Sequence, residues 1–255
     1  MNAAVTPVAL SLEAALALLQ GDDLGDRYYA AWYLGTLKDR RAVPALILAL
    51  DDEADRTALG GYPLRRNAAK ALGVIGDPEA VPALVKALSS ADYFLQEEAA
   101  YALAAISDPS ALEGVRALFA TPEAEYPWEA LIRALGSLGA QETAPLIRPF
   151  LHHASERVQA AAAGVLYRFT GEESLAEQLV RGLQHDNVNV RRAVLTDLGE
   201  TGYVPAAEAM TKADVAVSLK LNALKRLFDV AIQGQSSTQV PRIAKAVMPW
   251  IEALL

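Results

Sequence analysis

The sequence of 255 residues contains no cysteine. This absence excludes disulfide bonds, thiolate metal sites and a catalytic thiol, and it fits a reducing compartment, so we expect a cytoplasmic protein. Histidine is also scarce, because the chain has only His152, His153 and His185. Their spacing does not match a typical histidine metal site, so we expect no metal. Conventional catalytic signatures, such as the Walker phosphate loop and the serine nucleophile elbow, are missing as well.

Excess positive charge and long apolar runs are missing too. The formal net charge of −8 argues against nucleic-acid binding, because phosphate contacts require a basic surface. No run approaches the roughly 20 apolar residues of a membrane-spanning helix. The N-terminus lacks the basic start of a signal peptide, and Pro7 and Glu13 interrupt its apolar stretch. We therefore expect no nucleic-acid partner and no membrane insertion.

The sequence does contain a repeated pattern of helix pairs. LRRNAAKALGVIGDPEAVPALVKAL, from Leu64 to Leu88, predicts a helix, a Gly-Asp turn and a second helix that starts with Val-Pro. Gly73 and Gly76 are expected to end the first helix, since glycine adopts left-handed angles easily. Copies of the pattern align on one leucine near the end of each first helix, namely Leu34, Leu72, Leu103, Leu135, Leu166, Leu198 and Leu227. A period of about 31 residues with two helices per unit predicts an all-α fold, an α-α superhelix of HEAT-like repeats.

The pattern also predicts the organisation of the chain. We expect a single solenoid over residues 1–255, with a capping helix at 8–20 and a closing helix at 241–255. A polar insertion at 51–62 is expected to be a loop that projects from the stack. About seven helix pairs are expected over 26–233, with bounds at 26–53, 63–92, 93–123, 125–155, 156–187, 188–214 and 215–233.

The first repeat differs from the others in its aromatic residues. Alignment on the shared leucine places Tyr28, Tyr29 and Trp32 at positions that are polar in the second repeat. Their spacing of three and four residues puts them on one helix face. Two interpretations remain open. Either the N-terminal helix or a partner chain covers these side chains, or they form a platform for a flat conjugated ligand.

Arginines recur at fixed repeat positions. Arg27, Arg65 and Arg191 are equivalent to one another, and Arg66 is equivalent to Arg192. Arginines at such positions in HEAT-like arrays commonly pair with acids of a neighbouring repeat. Alternatively, they form a row of cations that binds ligand carboxylates, because the planar guanidinium matches carboxylate geometry.

Two stretches carry a resemblance to a known family. RYYAAWYLG at 27–35 and DRTALGGYPLRRNAAKALG at 55–73 resemble the E-type subunit of the heterodimeric E/F phycobilin lyases, which are HEAT-repeat proteins of cyanobacteria. The resemblance covers most of the chain as a repeat pattern, and these two stretches are its specific part. The family commonly has Tyr-Tyr-Ala-Ala-Trp-Trp in the first stretch, whereas Tyr33 occupies the last of these positions here.

The resemblance implies a function in attaching a linear tetrapyrrole to a protein. These lyases join a bilin, typically phycocyanobilin, by a thioether bond to a cysteine of a phycobiliprotein, typically the phycocyanin alpha subunit. The implied partners are an F-type lyase subunit in a heterodimer, a phycobiliprotein alpha subunit as acceptor and the bilin as substrate, with no further cofactor. Asp55 is the candidate catalytic residue. The candidate bilin-binding residues are Tyr28, Tyr29, Trp32, Tyr62, Arg65 and Arg66.

Two other functions remain open for the same architecture. One is a lyase-isomerase that also moves a double bond of the bilin, and the other is a non-catalytic HEAT-repeat scaffold or chaperone for phycobilisome assembly or breakdown. The lyase and the lyase-isomerase both predict a new covalent bilin on an acceptor, whereas the scaffold predicts none.

Overall fold

The described part of the chain is all-helical. The computed structural model describes residues 10–54, 56–121 and 125–255, which contain α-helices and short 3-10 turns but no β-strand. Asp55 and residues 8 and 9 of the predicted capping helix lie outside these ranges. None of the described helices has the length and apolar character needed to cross a membrane. The helices are α1 (Leu12–Leu19), α2 (Leu24–Leu37), α3 (Val43–Ala49), α4 (Pro63–Ile75), α5 (Val81–Ala87), α6 (Tyr93–Ile106), α7 (Leu112–Ala117), α8 (Trp128–Ser137), α9 (Ala144–Ile147), α10 (Glu156–Thr170), α11 (Glu173–Gly182), α12 (Val188–Thr201), α13 (Ala207–Lys212), α14 (Val217–Ile232) and α15 (Val240–Glu252).

The chain divides into two compact units, Met1–Leu138 and Gly139–Leu255. In the first unit, α2, α4, α6 and α8 lie side by side and form one layer. The second helices α3, α5 and α7 each pack against the first helix of the following pair, and α1 packs against α2. This stacking buries the apolar face that no single pair could bury alone.

The second unit has its own stack. Here α10, α12 and α14 lie side by side, and α11 packs against both α10 and α12. The predicted pair at 215–233 is wrong, because α14 fills that range alone and pairs with α15. Gly234, with a φ of 70°, lies in the turn between them, so the polar segment that suggested the end of the array is a connection within its last pair. The prediction of one solenoid over 1–255 stays a prediction.

The aligned leucines form the centre of the core. All seven are fully buried, and burial of each side chain contributes about 1.5–3 kcal/mol relative to an exposed one. In five of the repeats a residue in the left-handed region follows four positions later, at or just after the end of the first helix. These residues are Lys38, Gly76, Ser107, Gly139 and Gly202.

Gly73 does not end α4, which was the prediction for it, but lies inside this helix. Gly76, with a φ of 75°, ends the helix instead. A Cβ atom on Gly73 would lie 2.7 Å from the Cα of Ala102 in α6, and one on Gly35 in α2 would lie 3.0 Å from the Cα of Ala71. Small residues therefore allow α2, α4 and α6 to approach closely, and the candidate site lies on these three helices.

The inserted loop at 51–62 is attached to the repeats at both ends. Asp51 and Asp52 form ion pairs with side chains of α5 and α2 respectively, and Tyr62 is buried at the start of α4. The described residues near the middle are exposed, with Leu59 at 99%. The expected projection from the stack is therefore confined to the middle of the loop.

Candidate functional site

Tyr28, Tyr29 and Trp32 form an exposed surface on α2, here called the aromatic face. Their exposed fractions are 46%, 45% and 49%, and the ring centroids of Tyr29 and Trp32 lie 5.6 Å apart. Helix α1 packs against α2 but leaves these three side chains about half exposed. A contiguous aromatic patch of this kind is typical of a binding surface. Helix α1 therefore does not cover these side chains, and two interpretations stay open: a ligand platform, or a surface that a partner chain covers.

The aromatic face is positioned by the buried side of the same helix. Ala30, Ala31 and Leu34 are fully buried, and the helical period then directs the three aromatics away from the core. The carboxylate of Asp23 accepts a hydrogen bond from the backbone N–H of Asp26 at 2.8 Å and caps the start of α2. The direction of the aromatic face is thus fixed by the packing of α2.

Tyr33 supports the aromatic face from one side. Its ring stacks on Tyr29 with centroids 6.0 Å apart. Its hydroxyl donates a hydrogen bond of 2.9 Å to the backbone carbonyl of Leu10, just before α1. The position at which the family commonly has tryptophan therefore links α2 to the segment that precedes it.

A narrow cleft continues from Trp32 onto α4. Its volume is about 80 Å³, and its lining includes Trp32, Asn67, Lys70 and Val74. The side-chain amide of Asn67 donates a hydrogen bond of 3.1 Å to the backbone carbonyl of Tyr28 and links the two helices. Lys70 is exposed. The cleft can hold the edge of a flat ligand that lies over α2.

Arg65 is held within the chain. Its Nε donates to the carbonyl of Leu50 at 2.5 Å, and its Nη1 donates to Oε1 of Glu53 at 3.0 Å. The guanidinium also lies 4.6 Å above the centre of the Tyr62 ring. The Arg65 side chain is consequently only 12% exposed. These contacts agree with the interpretation that the repeat arginines have structural partners.

The equivalent arginines make the same type of contact. Arg27 donates to the carbonyl of Leu19 at 3.0 Å, and Arg191 donates to the carbonyl of His185 at 2.7 Å. As with Arg65, the acceptor lies at or just after the C-terminal end of the preceding second helix. Such carbonyls lack helical partners and attract cations. This repeat position therefore connects successive helix pairs.

Arg66 forms a two-point ion pair with Asp92 at the start of α6. Its Nε and Nη2 donate to the two carboxylate oxygens at 2.8 and 2.7 Å, and its guanidinium lies 4.8 Å above the Phe94 ring. Asp92, which is 5% exposed, also accepts the backbone N–H of Tyr62 at 2.9 Å. Burial works to raise the pKa of Asp92, but the hydrogen bonds from Arg66 and Tyr62 outweigh burial and lower it.

Tyr62 belongs to the same network. Its hydroxyl donates a hydrogen bond of 2.6 Å to Oε2 of Glu53. This hydrogen bond and then burial raise the pKa of Tyr62. We call Tyr62, Arg65 and Arg66, with their partners Glu53 and Asp92, the basic frame. The structure thus separates the candidate residues into an exposed aromatic face on α2 and a basic frame at the start of α4 whose side chains are bonded within the chain.

Sequence reasoning missed three residues beside these groups, namely Lys70, Asp92 and Phe94. Lys70 could have been found from the sequence, because it occupies the repeat position of Trp32. Asp92 stands directly before a helix, where an acid is a common cap, but nothing in its spacing indicates Arg66 as its partner.

The described histidines and acids do not assemble into a metal site. Within the described ranges, no group of three such side chains is placed to hold a metal ion. Nδ1 of His153 accepts the backbone N–H of Ser155 at 3.0 Å, and Nε2 of His185 lies 3.0 Å from the carboxylate of Glu156.

Two models of known protein families match this chain, and both describe HEAT repeats. The model described as HEAT repeats matches residues 62–127 and 126–197. The model described as PBS lyase HEAT-like repeat matches residues 26–52, which include the aromatic face of α2.

Several curated relatives are similar over nearly the whole chain. A protein of Nostoc sp. named phycocyanobilin lyase subunit alpha is 45% identical, and the match covers 96% of this chain and 94% of the relative. A protein of the same name from Microchaete diplosiphon is 43% identical over 96% of this chain and 90% of the relative. The bilin biosynthesis protein PecE of Mastigocladus laminosus is 45% identical over 89% of this chain and 85% of the relative.

One solved structure is similar throughout. It is the complex of CpcE and CpcF of phycocyanin lyase from Nostoc sp., of which one chain matches with a TM-score of 0.87 and 44% identity. The match covers 100% of this chain and 98% of that chain. On the strength of these identities over nearly full length, the chain belongs to the family of phycocyanobilin lyase alpha subunits, which are built from HEAT repeats.

Proposed function

We propose that this chain is the E-type subunit of a cytoplasmic bilin lyase. In this proposal it binds a linear tetrapyrrole, phycocyanobilin, and helps attach it by a thioether bond to a cysteine of a phycobiliprotein, the phycocyanin alpha subunit. The observation that carries the proposal is the aromatic face of α2, in a chain whose relatives at 42–47% identity include phycocyanobilin lyase alpha subunits.

The aromatic face suits a flat, extended and conjugated ligand. Stacking against aromatic rings buries a large apolar area in a defined geometry. The rings of Tyr28, Tyr29 and Trp32 are half exposed before any ligand arrives, so little rearrangement is needed. We place the pyrrole rings against these side chains, with one edge of the ligand in the cleft between α2 and α4.

The basic frame lies at the border of this proposed site. Tyr62, Arg65 and Arg66 hold the start of α4 against the loop and against α6 through their contacts with Glu53 and Asp92. The Arg66 side chain remains 30% exposed. Asp55 remains the candidate catalytic residue. It stands two residues after Glu53, which Tyr62 and Arg65 anchor.

The chemistry requires no nucleophile from this chain. The thiolate of the acceptor cysteine forms the new C–S bond at the exocyclic double bond of ring A, and a proton is added to the conjugated system of the bilin. The chain has no cysteine, which agrees with a nucleophile supplied by the acceptor. Its contribution is then to hold the bilin in one orientation and to exclude other sites and other stereochemistry.

The active form is proposed to be a heterodimer with an F-type lyase subunit. The similar solved structure is a complex of CpcE with CpcF, which supports this partnership. A stable pair should bury more than about 1,000 Å² of surface. We therefore expect the two subunits to elute together on size-exclusion chromatography. Bilin transfer by this chain alone at the rate of the pair would contradict the requirement for a partner.

Co-expression tests the function directly. The chain is produced with an F-type subunit, a bilin source and a phycobiliprotein alpha subunit, and covalent bilin is detected by zinc fluorescence after denaturing electrophoresis. A fluorescent acceptor band that requires both subunits supports the proposal. Absence of the band, with both subunits and the acceptor soluble, contradicts a lyase function and favours the scaffold or chaperone alternative.

A lyase-isomerase remains the second candidate. Relatives named bilin biosynthesis protein PecE are 45% identical to this chain, as is the phycocyanobilin lyase alpha subunit of Nostoc sp.. Overall identity therefore does not decide between a lyase and a lyase-isomerase. The absorption spectrum of the denatured product separates them, because moving a double bond changes the length of the conjugated system.

A further inference from the structure

Lys70 is an exposed cation without an acid partner among the described residues. The other cations of α2 and α4 differ from it. Arg27, Arg65 and Arg66 each pair with a carboxylate and have largely or partly buried side chains. Lys70 is therefore the cation of α4 whose charge remains available to a ligand.

The position of Lys70 places this charge between aromatic side chains. Trp32, Lys70 and Tyr101 occupy the same repeat position on α2, α4 and α6, and these helices pack side by side. Packed helices lie about 8–10 Å apart. Trp32 and Lys70 also line the same cleft. A flat ligand that stacks on Trp32 thus extends over the Lys70 ammonium.

The charge on α6 gives the ligand a direction. Glu98 occupies the repeat position that Tyr29 holds on α2. Ligand carboxylates placed over α6 would meet a like charge, whereas carboxylates placed over α4 meet Lys70. Opposite charges within about 4–6 Å stabilise each other, and like charges do the reverse.

We propose that Lys70 anchors a propionate carboxylate of the bilin and so fixes the direction in which the tetrapyrrole lies across α2 and α4. This inference rests on the proposed function. In this arrangement the conjugated rings lie over the aromatic face and the propionate side faces α4. Lys70 acts as a positioning residue. It contacts a propionate carboxylate of the bilin, and this contact holds the reacting ring A in place without touching it.

Binding of two related ligands tests this role. The full chain, with its F-type partner, is titrated with phycocyanobilin and with its dimethyl ester, which has the same rings but no carboxylates. Lys70→Met should weaken binding of the free acid about tenfold, since a charge-assisted contact is lost, and should change binding of the ester less than about twofold. Lys70→Arg should retain most of the affinity for the free acid, because it keeps the charge.

A matched control separates this effect from the loss of one positive charge. Lys225 is an exposed lysine on α14 with no acid partner among the described residues, and Lys225→Met should leave binding of both ligands unchanged. Melting temperatures of all variants should agree, since both lysines are exposed.

The outcomes distinguish the inference from the function on which it rests. Lys70→Met could weaken binding of the free acid and of the ester equally, or leave both unchanged. If it does so and Trp32→Ala abolishes binding of both ligands at the same time, the anchor is wrong and the bilin site stands. If the wild-type pair binds neither ligand, both the bilin site and the anchor are wrong.

Discussion

The exposed face of α2 and the first turn of α4 have different surroundings, although the sequence assigns ligand binding to both. Trp32 on α2 is 49% exposed and lines an open cleft. Arg65 on α4 is bonded to Leu50 and Glu53, and Arg66 is bonded to Asp92. Polar groups that are satisfied inside the chain stabilise the fold, whereas half-exposed aromatic rings are available to a ligand. The comparison predicts a graded series of effects on the free energy of unfolding.

Among the residues of the candidate site, the largest loss of stability is expected for Asp92→Ala. Removal of one partner from a buried, hydrogen-bonded ion pair leaves Arg66 uncompensated and costs about 3 kcal/mol, and the variant also loses the cap of α6. Urea denaturation followed by circular dichroism measures this loss. Asp214→Ala is the matched control, because Asp214 pairs with Arg191 but its side chain is 98% exposed, and its loss should cost less than about 1 kcal/mol. Equal losses in the two variants would contradict the buried role of Asp92.

A smaller loss is expected for Arg65→Met. This change removes the hydrogen bonds to the Leu50 carbonyl and to Glu53, which should cost about 1–2 kcal/mol, while the methionine preserves part of the packing against Tyr62. Denaturation and bilin titration are measured on the same preparation. Affinity per folded molecule should change little. A tenfold loss of affinity for the free acid, with stability unchanged, would instead make Arg65 the carboxylate anchor.

The contribution of Asp92 should also depend on pH. Because its pKa is lowered in the folded chain, its stabilising effect is fully present above the ordinary aspartate pKa of about 4 and is lost as pH falls through the folded-state value. The difference in unfolding free energy between wild type and Asp92→Asn should therefore be constant near neutral pH and shrink in acid. A difference that grows as pH falls would contradict the sign of this shift.

The smallest change in stability is expected for Trp32→Ala. Because Trp32 is half exposed, its replacement should alter the unfolding free energy by no more than about 0.5 kcal/mol, whereas bilin binding should fall sharply. Trp128→Ala is the contrasting variant, since Trp128 is 5% exposed and loss of a buried tryptophan costs about 3–5 kcal/mol. If Trp32→Ala unfolds the chain while binding per folded molecule is unchanged, the aromatic face is part of the core.

The positions of the repeats along the chain could be predicted because the signals that mark them are local. Each aligned leucine is followed within a few residues by a turn, and all seven leucines are buried, as the predicted alignment of the repeats requires. The polar segment after α14 misled the assignment of the last pair. A turn within a pair and the end of an array have the same local composition, and only the packing of α15 on α14 separates them.

The candidate site could be predicted only in part. Helical spacing placed Tyr28, Tyr29 and Trp32 on one face, and the structure places them there. The partners of the arginines were not predictable, because Arg66 meets an acid 26 residues away and the choice among several nearby acids depends on tertiary packing. Gly73 was misassigned for the same reason, since only the approach of α6 explains it.

The missing side chain of Gly73 has a consequence for genetics. A single added methyl group would meet the Cα of Ala102 at 2.7 Å and force α4 and α6 apart, three residues along the helix from Lys70. A Gly73→Ala allele would leave every exposed residue of the site chemically intact and still disturb the surface they share. A screen for loss of pigmentation at raised growth temperature should therefore recover this interior position, which a search restricted to surface substitutions would overlook.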